Sequence, residues 1–283
     1  MTLSIIIVNW NTREMLLGAL KSIYDAPLGF ECETILIDNA SNDGSADAVA
    51  NAFPEVHLIA NSKNRGYAKG NNQGIEASSG EFILLLNPDV VLPQGGLERV
   101  VDWMRSRSQV AAMGVRLINP DRSLQRSVRG FPNPLSVFFD AVGLSNAFSK
   151  SRVFAAYRAG WLDYDEEAEV DQPMGTFLLL PRKAIEDVGL LDEQFPIFFN
   201  EVDWCYRARK KGWKIVYSPI IDVIHYGGSS TKQVSAKMAW ESRSGLLRFY
   251  RKHFASPLYA PVYWLAVVAS WLQAWRAAGK RGK

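Results

Sequence analysis

Four short polar clusters each follow directly on an apolar run. They are Asn9-Trp10-Asn11, Asp38-Asn39, Asn64-Arg65-Gly66-Tyr67 with Lys69, Gly70 and Asn71, and Asn87-Pro88-Asp89. One such cluster is ordinary strand-end chemistry. Four at the same edge of one sheet would converge on a single binding crevice. Asp38 opens the run Asp-Asn-Ala-Ser-Asn-Asp-Gly, which suits a turn; the alternative is a carboxylate that accepts hydrogen bonds from a nucleobase or ribose. Asp89 follows Phe82-Ile83-Leu84-Leu85-Leu86, where a carboxylate is costly unless paired or metal-bound. It is either a turn residue after Pro88 or a ligand to Mg²⁺ or Mn²⁺ bridging to a diphosphate.

Three further residues can carry chemistry. Glu201 and Asp203 stand in Phe198-Phe199-Asn200-Glu201-Val202-Asp203-Trp204. Acids just ahead of a helix can serve only as caps. Beside aromatic surface, Glu201 can instead be desolvated and tuned for general-base work. His225 ends an apolar run and precedes Tyr226-Gly227-Gly228-Ser229-Ser230. A lone histidine is commonly structural, but a Gly-Gly-Ser-Ser loop beside it can bring amides to a phosphate.

The elements that must position these residues follow from periodicity. Continuous apolar runs predict buried strands over 3–8, 34–37, 56–59 and 82–86. Between them, helical spacing predicts helices over 13–24, 45–53 and 68–78. This alternation is that of βαβ units and a parallel sheet. A helix is expected over 97–107 and a strand over 110–115. The pattern then weakens to a loop-rich stretch, with one helix, between Asn119 and Asp171. Further strands are expected over 176–180, 214–217 and 223–225, and helices over 182–188, 204–211 and 237–253.

The 283 residues, 48% hydrophobic and 22% charged, have the balance of an ordinary globular chain. Two cysteines, Cys32 and Cys205, cannot make a disulfide framework and suggest a reducing compartment. No basic segment precedes Ile5-Ile6-Ile7-Val8, so no signal peptide is expected and the protein is expected in the cytoplasm. A net charge of +3 is too small to argue for a nucleic-acid partner. The P-loop, G-x-G-x-x-G, C-x-x-C, H-E-x-x-H and G-x-S-x-G patterns are all absent.

Together these segments resemble glycosyltransferase family 2, the inverting enzymes of GT-A fold, and within it the bacterial rhamnosyltransferase-like branch. The resemblance rests on SIIIVNWNTREMLLGALKSI, ILIDNASNDGS, NRGYAKGNNQGI, ILLLNPDVVL, GTFLLLPRKAIEDVGLLDEQFPIFFNEVDWCYRARKKGW and VIHYGGSS, in order over residues 3–231. It implies an α/β fold: a Rossmann-like, mostly parallel sheet flanked by helices, with a C-terminal helical appendage. The implied organisation is a catalytic domain over 1–236, with a nucleotide-binding half to 95 and an acceptor half beyond, then helices over 237–283. The implied donor is a nucleotide-sugar, dTDP-rhamnose or a UDP-hexose, and the acceptor a glycan or lipid-linked hydroxyl. Asp38, with Asn9 and Asn39, would contact the nucleobase. Asn64, Arg65, Gly66 and Asn71 would line the nucleotide pocket. Asn87-Pro88-Asp89 stands where the family keeps its D-x-D metal motif, so the first acid is replaced by Asn87 and Asp89 is left as the main carboxylate. His225 would complete the site for Mg²⁺ or Mn²⁺. Glu201 falls where the family keeps a catalytic base that is usually Asp, and the choice between Glu201 and Asp203 stays open. A sugar-1-phosphate nucleotidyltransferase would want a glycine-rich loop after the first strand, and Asn9–Glu14 has no glycine. A non-catalytic carbohydrate-binding protein would need neither the acid pair nor the metal site.

Residues 254–275 carry no charged side chain, and Pro257 and Pro261 delay any helix to near Val262. From there Trp264, Val268, Trp271 and Trp275 share one helical face, and Arg276, Lys280, Arg281 and Lys283 follow. About 15 residues are too few to span a bilayer, which needs ~20. An aromatic-faced helix with a basic tail suits an anchor on the inner face of the plasma membrane. The alternative is packing on the protein's own core or on a second copy in a homo-oligomer.

Overall fold

The structure is a computed structural model that describes residues 1–227, 235–256, 259–261, 263–265 and 268. In chain order its first half holds β1 (Leu3–Asn9), α1 (Arg13–Tyr24), β2 (Cys32–Asp38), α2 (Ser45–Ala52), β3 (His57–Ala60), α3 (Tyr67–Ala77), β4 (Phe82–Leu86), β5 (Val90–Val91), α4 (Gly96–Arg105) and β6 (Val110–Ile118). There follow β7 (Leu124–Gln125), β8 (Val128–Arg129), α5 (Pro134–Ala141), α6 (Leu144–Ala147), β9 (Ala168–Glu169), β10 (Gln172–Pro173), β11 (Phe177–Pro181), α7 (Arg182–Val188), α8 (Asn200–Lys210), β12 (Lys214–His225) and α9 (Ser235–His253).

The chain divides into two compact units. The first comprises Met1–Val128 and Tyr164–Ser235 and contains the main sheet. The sheet order is β3-β2-β1-β4-β11-β6-β12-β5, with β7 on β6 and β9 on β12. β1 pairs in parallel with both β2 and β4, and β2 with β3. β11 runs antiparallel between β4 and β6. The parallel part is continuous apolar sequence because both its faces are covered. On one side Leu3, Ile5 and Ile7 pack with Leu16 and Leu20 of α1; on the other Val8, Ile35 and Ile37 meet Tyr67 of α3. α3 lies close on β1 at two glycines one turn apart. A Cβ on Gly70 would reach Val8 Cγ1 at 2.8 Å, and one on Gly74 would overlap Ile6 Cγ2.

Sequence expectations change at β12 and at α8. The short strands expected at 214–217 and 223–225 are one strand, β12, whose register on β6 shifts between Ser218 and Asp222. Pro219 falls in that irregular stretch, where its missing N–H breaks no ladder bond. α8 begins at Asn200, four residues before the expected start, so Glu201 and Asp203 lie in its first turn. Acids there complement the helix dipole, and Phe199 enters the helix at a positive φ of 71°.

The second unit comprises Arg129–Asp163 together with the chain from Ala236 on. Its loop-rich part holds two helices, α5 and α6, where one was expected. Asn133 caps α5 by accepting from Ser136 N, with Pro134 at the first helical position. Phe154 packs edge-on to Phe139 with ring centroids 5.0 Å apart, and Arg158 pairs with Asp140. Of the expected aromatic-faced helix from Val262 to Trp275 only residues 263–265 and 268 are described, with Trp264 and Val268 exposed; the basic tail lies outside the described residues. No helix among the described residues is long and apolar enough to cross a membrane.

Candidate active site

The carboxyl ends of β1, β2 and β4 open on one edge because the three strands are parallel and in register. Asn9 ends β1 beside Asp38, which ends β2. Asn9 Nδ2 donates to Asp38 Oδ1 at 2.8 Å and to Ser41 Oγ at 3.1 Å, while Thr12 Oγ1 donates to Asn9 Oδ1 at 2.6 Å. Ser41 N donates to Asp38 Oδ2 at 2.9 Å. The turn reading of Asp38 is therefore realised, and each carboxylate oxygen keeps a lone pair for a further donor.

Asn39 ties the next loops together. Its Nδ2 donates to Gly66 O at 3.1 Å, and its Oδ1 accepts from Asn61 Nδ2 at 3.0 Å and Arg65 N at 3.4 Å. Asn64 Oδ1 accepts from Gly66 N at 2.9 Å; position 66 requires glycine both for its positive φ of 87° and because a Cβ would stand 2.9 Å from Pro196 O. Tyr67 N and Ala68 N, at the start of α3, donate to Pro196 O at 2.6 and 3.2 Å. That helix end is thus capped by the loop before α8. Asn64 and Arg65 are exposed, whereas Asn71 is wholly buried and donates to Tyr67 O at 2.9 Å.

Asp89 and His225 come together just beyond β4, the strand that Asn87 directly follows. Asn87 N donates to Thr176 O at 2.9 Å. β5 pairs with β12 so that Val90 faces His225, and Tyr226 N donates to Asp89 O at 3.0 Å. This pairing sets His225 Nε2 3.4 Å from Asp89 Oδ1, with both side chains buried. The ring's other nitrogen, Nδ1, lies 2.8 Å from Gln125 Oε1. His225 Nε2 is buried and has no hydrogen-bond partner. A buried imidazole nitrogen beside a buried carboxylate is a donor pair that suits a divalent cation. Among the described residues no group of three or more His, Cys, Asp or Glu could hold a metal ion. A cation here would draw its remaining ligands from water and phosphate, as Mg²⁺ commonly does.

Glu201 and Asp203 have separate environments. Asp203 is fully buried, and its Oδ2 accepts from Arg207 Nε at 2.8 Å. Arg207 also donates to Val188 O at 2.6 Å and Leu190 O at 2.8 Å, so this pair locks α8 to the end of α7. Glu201 packs on Gly175, whose built Cβ would stand 3.5 Å from Glu201 Cγ. Burial pushes the Glu201 carboxyl up to about 7, against the lowering effect of the Glu201 and Val202 amides of the first turn. Tyr67 OH donates to Gly175 O at 3.0 Å. Its phenol is raised first by burial, then by the charges of Glu201 and Asp89. The Gly175-Thr176 turn therefore ties Tyr67, Glu201 and Asn87 to one place. Cavities of about 310 Å³ at Ser22–Leu28 and Leu92–Glu98, and of about 420 Å³ at Arg107–Val110 and Glu167–Glu169, contain none of these residues.

Tyr67 as a support for Glu201, Asn61 as a partner of Asn39, and Gln125 on His225 were not legible in the sequence. Tyr67 stands inside the third polar cluster, and nothing in the sequence ties it to Gly175 or Glu201. Gln125, in Leu124-Gln125-Arg126, carries no local signal.

A model of the family described as glycosyl transferase family 2 matches residues 4–164, more than half the chain. The chain is 29% identical over 229 residues to an N-acetylglucosaminyl-diphospho-decaprenol L-rhamnosyltransferase of Mycobacterium tuberculosis, covering 77% of this chain and 73% of the relative. It is 26% identical over 227 residues to the low-salt glycan biosynthesis hexosyltransferase Agl10 of Haloferax volcanii, covering 79% and 66%. Among solved structures it is similar to the mannosyltransferase PcManGT of Pyrobaculum calidifontis in complex with GDP-Man and Mn²⁺. That match has a TM-score of 0.60 at 15% identity and covers 99% of this chain and 76% of the other. The likeness bears out the expected fold, a GT-A α/β fold with a mostly parallel sheet.

Proposed function

Since the chain belongs to glycosyl transferase family 2, we propose that it is an inverting, cation-assisted enzyme moving a sugar from a nucleotide-sugar to a glycan or lipid-linked hydroxyl. It is a glycosyltransferase of polysaccharide or glycan biosynthesis, as its family and its rhamnosyl- and hexosyltransferase relatives indicate. The favoured donor is dTDP-rhamnose, with a UDP-hexose second. The M. tuberculosis relative, an L-rhamnosyltransferase named for a decaprenol-linked N-acetylglucosaminyl diphosphate, supports rhamnose and a lipid-linked acceptor.

In this reading residues 1–95 form the nucleotide-binding half and 96–236 the acceptor half. Asp38 accepts from the nucleobase, held in place by Asn9 and Ser41. Asn39, Asn64, Arg65, Gly66, Asn71 and Asn87 shape the walls. Asp89 and His225 would hold Mg²⁺ or Mn²⁺, and the bound cation would offset the charge that grows on the leaving diphosphate. Glu201 takes the proton from the acceptor hydroxyl. The acceptor oxygen attacks the anomeric carbon from the face opposite the diphosphate. The bond from that carbon to the phosphate oxygen breaks, and its electron pair leaves with the diphosphate. One displacement inverts the configuration. Asp203 acts through Arg207, holding the helix that carries Glu201.

The observation that carries this reading is Glu201, whose burial brings its carboxyl to about 7, where a base works at neutral pH. The test is turnover of a panel of dTDP- and UDP-sugars with Mn²⁺ and with EDTA, the product anomer read by NMR. Turnover of one donor with inversion and loss in EDTA is expected. Undiminished turnover in EDTA removes the metal, and a retained anomer removes the single displacement.

The same reading sets the enzyme at the inner face of the plasma membrane, where a lipid-linked acceptor would be. Leu135, Phe138, Val142, Phe148, Val153 and Trp240 of the second unit are exposed apolar side chains, which supports contact with an apolar surface.

A further inference from the structure

His225 is gripped twice by one side chain. Gln125 Nε2 donates to the His225 backbone carbonyl at 2.7 Å, while Gln125 Oε1 faces His225 Nδ1 at 2.8 Å. A backbone carbonyl only accepts, so the end of the amide facing it must be the NH₂ group. The oxygen end then faces the ring, and it too only accepts. Nδ1 must carry the hydrogen. With hydrogen on Nε2 instead, two lone pairs would oppose each other at 2.8 Å; with hydrogen on Nδ1, the opposed pair is Nε2 and Asp89 Oδ1 at the longer 3.4 Å, where Nε2 makes no hydrogen bond.

A chain of contacts fixes the same polarity from the far side. Asp121 Oδ1 accepts from Ser123 Oγ at 2.6 Å, and a carboxylate has nothing to donate. Ser123 Oγ, its hydrogen so engaged, accepts from Asn119 Nδ2 at 2.8 Å. Asn119 Oδ1 is thereby turned to Gln125 Nε2, which donates to it at 2.6 Å. From the surface turn at 119–123 to the imidazole, every donor has one direction. β7 delivers Gln125 to this place by pairing with β6, the neighbour of β12.

We propose that Gln125 is a positioning residue that holds neutral His225 in the Nδ1–H tautomer, leaving the Nε2 lone pair beside Asp89 for a divalent cation. This rests on the metal reading of Asp89 and His225 given above. An outer hydrogen bond to a ligand imidazole fixes its tautomer and orientation, and its loss costs about 10–100-fold in metal affinity.

The test uses the full chain, metal-free, with ¹⁵N-labelled histidine. Long-range ¹H–¹⁵N spectra of the imidazoles distinguish the protonated nitrogen from the bare one. Only His57, His225 and His253 contribute, so the assignment is short. Neutral His225 in the wild-type protein should carry its hydrogen on Nδ1, a result that needs no variant. Gln125→Met, checked for folding by its amide spectrum, should shift the population toward Nε2–H. Mn²⁺ affinity of Gln125→Met, read by water-proton relaxation, should fall about 10–100-fold. A wild-type His225 protonated on Nε2 overturns the proposal, as does a folded Gln125→Met with unchanged tautomer and Mn²⁺ affinity. A bare wild-type Nε2 without Mn²⁺ binding overturns it from the other side. That outcome defeats the metal reading and leaves Gln125 a structural contact.

Discussion

Glu201 and Asp203 stand two positions apart in one helical turn, yet their carboxylates meet different chemistry. Asp203 has a cation at 2.8 Å and full burial. Glu201 has Gly175 against its stem and burial that raises its pKa. A base must be ionised to work, so kcat/KM should rise with pH through about 7 and level off above it. Glu201→Gln keeps the size and removes the basicity. We expect kcat to fall about 10²–10⁴-fold and the limb near neutrality to vanish, with donor affinity little changed. Asp203→Ala should act on stability instead, because it leaves Arg207, held at the Val188 and Leu190 carbonyls, without its buried counter-charge. A loss of about 3–5 kcal/mol in urea unfolding is expected, with kcat per folded molecule nearly kept. A collapse of kcat in folded Asp203→Ala would assign the base to Asp203.

At the scale of elements, the crevice depends on how closely α3 lies on β1. Gly70 and Gly74 allow that approach, and α3 then carries Tyr67 to Gly175 and presents Gly66 to Asn39. The loop before α8 is stitched to α3 by Asn72, which donates to Leu191 O at 2.9 Å and accepts from Leu191 N at 3.0 Å, and by the Lys69–Glu193 pair. Gly74→Ala forces a methyl into Ile6 of a strand buried on both faces. The expected cost is about 1–3 kcal/mol in thermal or chemical unfolding. Gly18→Ala is the control: beyond its own helix backbone nothing lies within 4 Å of a built Cβ, so it should be neutral or mildly stabilising. Equal stabilities of the two variants would contradict the close-approach argument. In the sequence Gly70 stands only as a member of a polar cluster, and Gly74 carries no local signal. Their use is steric, and it becomes visible once β1 is known to lie beneath them.

At the scale of the whole molecule, the two units carry different surfaces. The first gathers the polar strand ends. The second exposes apolar side chains and includes the start of the uncharged segment 254–275. If that segment and its basic tail bind an anionic bilayer, the full chain should float with anionic liposomes. A chain ending at Ser256 should float markedly less, and high salt should weaken the full chain's binding. Equal flotation of both chains, or of neither, would count against the anchor and favour packing on protein.

The residue pattern by itself determined the parallel core and its polar edge. A strand covered on both faces must be continuously apolar, so Leu3–Val8 and Phe82–Leu86 declare themselves, and the polar residue that ends each run marks the crevice. Asn9, Asp38, Asn87 and Asp89 were legible for that reason. Only the tertiary structure decided the rest, because each remaining contact joins segments far apart in the chain. Asp203 is engaged because Arg207 is braced by the carbonyls of Val188 and Leu190. His225 meets Asp89 because β5 pairs with β12. Gln125 reaches His225 across 100 positions of sequence through β7, and no local pattern records such a bond. Periodicity reports which face of an element is buried; it cannot report which distant side chain arrives there.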